Sequence, residues 1–148
     1  MRRACFESGA SGHPRPVSER SETVPDDVAP AFAHPVEREI ARAFDELGVE
    51  WLYEPHTFVL ERSPDGEVRE AFTPDFYLPE LGLYIECTVM RPAYTRRKRR
   101  KASKARTRSG VDVEILFRRD IERLAARWQL PALARAARVG EILDDARV

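Results

Sequence analysis

Cysteine is scarce in this chain. Only Cys5 and Cys87 occur in 148 residues, far apart and with no Cys-x-x-Cys pair. A disulfide framework and a thiolate zinc site are thereby excluded, and both residues are expected as reduced thiols of a cytoplasmic protein. Histidine is equally sparse: His13, His34 and His56 share no metal-ligand spacing. Seven glycines are scattered, with no Gly-rich phosphate loop and no Gly-x-Ser-x-Gly elbow. No apolar run approaches the length of a membrane span. The opening stretch MRRACFESGASG carries two arginines but no apolar block after them, so it does not read as a secretory signal. Internal repeats are also lacking.

What is present is apolar substance for one core, at 43% hydrophobic residues, and an uneven charge distribution. The formal net charge is zero. Residues 96–108, RRKRRKASKARTR, nevertheless hold nine basic residues and no acid, leaving 16 basic against 25 acidic residues elsewhere. Nine like charges in thirteen residues repel one another. The segment therefore reads as a ligand for a polyanion rather than as an ordinary solvated helix face, with Arg96, Arg97, Lys98, Arg100, Lys101 and Lys104 as the expected nucleic-acid contacts.

Residues 1–30 contain four prolines, two glycines, four serines and nine charges and show no period of 2 or 3.6. Residues 1–33 are expected as a disordered N-terminal arm, and 34–148 as one domain closed by C-terminal helices. Val36, Ile40, Phe44 and Leu47 mark one face of a helix that starts at Pro35 and stops at Gly48. VEWLYE alternates, with Val49, Trp51 and Tyr53 on one side. HTFVLE and EVREAFT read as strands joined at SPDG, and GLYIECTV as a further strong strand. A basic helix over 92–108 is framed by Pro92 and Gly110. The strand VDVEILF and two helices broken at Pro131 complete the chain. The fold class is α/β, with a mixed central sheet flanked by helices.

Two acids stand out. Along LYIECTV, side-chain alternation places Tyr84, Glu86 and Thr88 on one face and Leu83, Ile85, Cys87 and Val89 on the other. Asp75, in TPDFYLPE, follows a proline just past a preceding strand. If the strands neighbour each other, Asp75 and Glu86 converge. Two carboxylates in a partly apolar site repel unless protonated or bridged by a cation. Mg²⁺, which takes oxygen ligands and keeps several waters, is the natural bridge, and a water bound to it attacks phosphodiesters. Either acid alone reads as structural: Asp after Pro is common in turns, and Glu is common on an outward strand face.

PDFYLPE, IECT and the upstream VEREIARAFDELGVEWLYEP together resemble the PD-(D/E)XK nuclease superfamily, in the branch related to very-short-patch repair endonucleases. The resemblance spans about residues 35–124. It implies a restriction-endonuclease-like core and a Mg²⁺- or Mn²⁺-dependent endonuclease acting on DNA. Asp75, Glu86 and Glu37 would hold the metal, and the same three with Thr88 would form the catalytic set, with Glu39 the less favoured reading for the helical acid. The family lysine is replaced by Thr88. Its charge has moved to the following helix, at Arg91 or Lys98, or else catalysis is weak or lost. The stretch from ECTVM to YTRRKRRK also resembles a small bacterial group with Glu-x-Thr at this place, found alone or fused to purine phosphoribosyltransferases. No phosphoribosyltransferase signature occurs in this chain. The alternatives are therefore a non-catalytic nucleic-acid-binding module and an accessory domain linked to purine salvage.

The remaining candidates read as structural. His34 is expected to cap a helix, Trp51 and Tyr53 to lie in the core, and Trp128 and Leu130 to pack between the closing helices. Tyr77 and Tyr84 read as core before base-stacking. His56 is within reach of the site from its strand.

Overall fold

The computed structural model describes residues 18–19, 30–89 and 92–145. Most of the expected N-terminal arm, together with Arg91, lies outside them. In chain order the elements are β1 (Ser18–Glu19), α1 (Pro35–Glu46), β2 (Leu52–Tyr53), β3 (His56–Arg62), β4 (Val68–Phe72) and β5 (Phe76–Leu78). They are followed by β6 (Leu83–Thr88), α2 (Pro92–Ser109), β7 (Asp112–Phe117), α3 (Arg118–Arg127) and α4 (Pro131–Asp145). No helix among the described residues is long and apolar enough to cross a membrane.

The architecture is mixed α/β, but the strands divide between two sheets instead of forming one central sheet. An antiparallel sheet has the order β1-β3-β4, and a mixed sheet has the order β2-β5-β6-β7. Within the second, β2, β5 and β6 run antiparallel, while β6 and β7 are parallel and joined through α2. A parallel return needs such a crossover, and the basic helix provides it.

The helix α1 forms where the pattern places it. Pro35 suits the first turn because its missing N–H would be unpaired there anyway. Val36 and Ile40 are buried and Phe44 packs on the core, whereas Leu47, expected inside, is exposed at the C-cap. Gly48, at φ +67°, makes the left-handed turn that ends the helix. The expected strand over 49–54 shrinks to Leu52–Tyr53, because Glu54 takes a positive φ of 44° ahead of Pro55. Val49, Trp51 and Tyr53 still share the core side.

Strand β5 was not anticipated. Three residues bracketed by Pro74 and Pro79 give no periodic signal, yet Phe76 is fully buried and pairs with Ile85 of β6. Burying such a side chain contributes about 3 kcal/mol.

Two apolar clusters lie on opposite faces of β6. Ile85 and Cys87 join Val36, Ile40, Phe76, Ile121, Leu133 and their neighbours from α1, α3 and α4. Tyr84 joins Phe58, Leu60, Phe72, Val113 and the small residues Ala102 and Ala105 of α2. The alternation expected for this strand therefore holds. Leu130 packs on the first cluster. Trp128 does not: it faces solvent just past the end of α3, with the Arg127 guanidinium 5.9 Å from its ring centroid. Phe32, inside the expected arm, packs edge-on against Tyr53 at 4.8 Å.

Candidate active site

The register of β5 on β6 sets Phe76 opposite Ile85. One step further along the same ladder places Asp75 opposite Glu86. The backbone makes the same junction: Cys87 N–H donates to Asp75 Oδ2 at 2.7 Å, and Glu54 N–H donates to the Asp75 carbonyl at 2.8 Å. The Pro-Asp segment is thereby tied to the middle of the mixed sheet. Asp75, Glu86 and Thr88 are all buried, at 7%, 4% and 3% exposure.

Withdrawing carboxylates from water favours their protonated forms. For Asp75, burial acts first and the charges of Glu86 and Glu37 add to it, so its carboxyl is pushed up to about 8 even though the Cys87 N–H opposes the shift. Burial also raises Glu86, against the opposing pull of Lys98. That lysine, on α2, is the cation paired with Glu86 among the described residues. Its Nζ lies 2.6 Å from Glu86 Oε1 and donates to the Cys87 carbonyl at 3.0 Å. Burial alone would lower the Lys98 pKa, but the Glu86 carboxylate outweighs it and holds the ammonium above its ordinary value. Two of the three Lys98 donors are thus engaged among the described residues.

Among the described residues, the buried Glu86 Oε2 and Thr88 Oγ1 have no hydrogen-bond partner. Both belong to the face of β6 turned towards α2.

Glu37 is buried at 3% exposure, and its charge acts on Asp75, Glu86 and Cys87 alike. Its Oε2, however, is already occupied. It accepts from Tyr53 Oη at 2.7 Å, from Ala33 N–H at 3.1 Å and from His34 N–H at 3.4 Å. This is a helix-capping arrangement, and the acid reaches back to the N-cap while the His34 side chain makes no capping bond. Tyr53 keeps its proton, since burial and the Glu37 carboxylate both raise its pKa. Glu39 turns away to ion pairs with Arg38 and Arg42. Among the described residues no group of three or more His, Cys, Asp or Glu side chains is arranged to hold a metal ion. Of the expected trio, the sheet brings Asp75 and Glu86 side by side, and the Glu37 carboxylate is engaged at the start of α1.

The basic helix also divides. Lys98, Lys101 and Lys104, spaced three apart, all turn inwards. Lys101 donates to the Ala71 carbonyl at 2.9 Å, and Lys104 bridges Glu61 and Glu70, with 2.5 Å to Glu70. Arg100 also reaches Glu70, at 3.4 Å. Arg96 and Arg97 are exposed and enter none of the ion pairs formed among the described residues. Of the six expected nucleic-acid contacts, four are thus bonded to the protein's own sheets. Repulsion among the nine charges is relieved largely from within, by Glu61, Glu70, Glu86 and backbone carbonyls.

His56 shares this side of the sheet. Its Nδ1 lies 2.7 Å from Tyr84 Oη, and its ring meets Tyr77 and Tyr84 edge-on. The partner of Glu37, Tyr53, carries no signal in sequence beyond its place on the core side of an alternating stretch.

Comparison with protein-family models, curated proteins and solved structures gave no match.

Proposed function

We propose that the chain is a divalent-cation-dependent nuclease acting on DNA phosphodiesters, of the kind its sequence resembles. The observation that carries this reading is the ammonium of Lys98 on Glu86, beside Asp75. The charge missing at Thr88 is present at the same carboxylate, delivered from α2 instead of from the strand.

The donor set suits a hard cation. Asp75 and Glu86 are two crowded, desolvated carboxylates, and Glu86 retains an acceptor oxygen without a partner. Mg²⁺ or Mn²⁺ is held by one or two carboxylates with waters completing its shell, so these two residues would hold it. When bound, such an ion supplies a Lewis acid and a water of lowered pKa. The other tasks fall to the chain itself. Lys98 keeps a fixed positive charge where a phosphoryl group would gain negative charge. Thr88 has a free hydroxyl with which to orient a water. Arg96 and Arg97 contact flanking phosphates without reading sequence.

The second reading is a nucleic-acid-binding module without catalysis. It is favoured by the Glu37 carboxylate being taken up in a helix cap. Nicking of supercoiled plasmid in Mg²⁺ or Mn²⁺, with Asp75→Asn alongside, separates the two. Cleavage that the variant loses supports the nuclease, and DNA binding with no cleavage by either protein selects the module.

A further inference from the structure

A lysine on the strand would perform two tasks at once, offsetting carboxylate charge and holding a water by hydrogen bond. Here the atoms for those tasks sit on different elements. Lys98 Nζ is committed to Glu86 Oε1 and to the Cys87 carbonyl. The second oxygen of the same carboxylate, Oε2, is buried without a partner among the described residues, and so is Thr88 Oγ1.

Glu86 and Thr88 are two residues apart on one strand face, with a backbone spacing of roughly 6.6 Å, so their side chains are neighbours on that face. Leaving two such atoms unpaired at this burial is costly, and native proteins rarely do so. A hydroxyl both donates and accepts, whereas Oε2 only accepts. A water between them donates to Oε2 and exchanges one further bond with Thr88.

We infer that Lys98 and Thr88 divide the work of one lysine: Lys98 provides the charge from α2, and Thr88 provides the hydrogen bond from β6, to a water seated between its hydroxyl and Glu86 Oε2. The inference deepens the nuclease reading and rests on it for the water's chemical use. It makes Lys98 and Thr88 separable. Lys98 neutralises a buried carboxylate, so it serves both fold and reaction. The Thr88 backbone pairs with β7, but its hydroxyl bonds no described residue, so that hydroxyl serves the reaction alone.

The test compares wild type with Lys98→Met, Thr88→Val, Thr88→Ser and the exchange variant Lys98→Met/Thr88→Lys. Two readouts are taken: thermal unfolding in EDTA, with no divalent ion, and plasmid nicking in Mn²⁺. Lys98→Met is expected to unfold at lower temperature and to lose about 100-fold in nicking, as removal of one charge-stabilising group does. Thr88→Val is expected to unfold at or above the wild-type temperature yet nick roughly tenfold more slowly, a combination that a structural threonine would not give. Thr88→Ser keeps the hydroxyl and should recover most of the nicking that Thr88→Val loses. The exchange variant returns an ammonium to Glu86 from position 88 and should regain most of the lost unfolding temperature. If Lys98→Met alone does not fold, folding of the exchange variant is the same recovery. Wild-type nicking by Thr88→Val, or an exchange variant no more stable than Lys98→Met, overturns the division. If wild type cuts in neither Mg²⁺ nor Mn²⁺, the nuclease reading fails and the role of Thr88 fails with it. The unfolding measurements still decide whether the two positions serve one carboxylate.

Discussion

Lys98 Nζ on α2 lies 2.6 Å from Glu86 Oε1 on β6, and the carboxylate side chain is only 6% exposed. Removing one partner from such a pair strands a buried charge, at a cost of about 3–5 kcal/mol. The pair thus joins the crossover helix to the centre of the mixed sheet, as well as placing a cation beside Asp75.

The first prediction concerns pH in the absence of divalent ions. Burial, then the charges of Glu86 and Glu37, raise the Asp75 carboxyl from an ordinary 3.8 to about 8. Between those values the folded chain holds a proton that the unfolded chain releases. The contribution of Asp75 is therefore fully present below about pH 4 and is lost as pH rises towards 8, by a few kcal/mol in total. Glu86 is shifted in the same direction and adds to the fall. Asp75→Asn should flatten the decline, and wild type should be the less stable of the two at pH 8. Urea midpoints from pH 4.5 to 8.5 check this; identical profiles for the two proteins would show that Asp75 is not desolvated.

Nucleic-acid affinity should depend on few of the nine cations. Each neutralised phosphate of duplex DNA contributes a slope of roughly −0.9 in log K against log salt. Arg96→Ala/Arg97→Ala should make the slope shallower by about 1.8 and leave the urea midpoint unchanged. Lys101→Ala loses the bond to the Ala71 carbonyl and should lower the midpoint without altering the slope. The reverse pattern would mean that the inward lysines turn outwards to meet DNA.

For Glu37, the three donors on Oε2 imply a larger part in the fold than in the chemistry. Glu37→Ala should cost about 3 kcal/mol, since buried donors lose their acceptor. Glu37→Gln keeps an acceptor oxygen, so it should lose less than half of that and nick within about tenfold of wild type. A folded Glu37→Gln protein that no longer nicks would instead make Glu37 a direct ligand.

The helices and most strands were legible because periodicity and punctuation agree there: Pro35 and Gly48 around α1, SPDG between β3 and β4, and Pro92 and Gly110 around α2. Strand β5 was not legible. Its three residues are too few for a period, and its burial comes from the neighbours β2 and β6. The shared face of Glu86 and Thr88 followed from alternation alone. The division of the basic helix did not follow, because charge density says nothing about direction. Only with Glu70, Glu61 and the Ala71 carbonyl in place beneath α2 does the row Lys98, Lys101, Lys104 become an inward face. Lys98 and Arg91 were the two readings for a relocated charge, beside weak or lost catalysis; the Lys98 ammonium lies on Glu86, and Arg91 is outside the described residues. The capping role of Glu37 was hidden because Tyr53, sixteen residues away, is its strongest partner.

The most direct measurement is the rate of supercoiled-plasmid nicking in Mg²⁺ and in Mn²⁺ by wild type, Asp75→Asn and Lys98→Met, each shown to be folded in the same buffer. The site described here predicts ion-dependent nicking by wild type, none by Asp75→Asn, and a loss of about 100-fold in Lys98→Met. Equal nicking by all three proteins, or none by wild type in either ion, would contradict it.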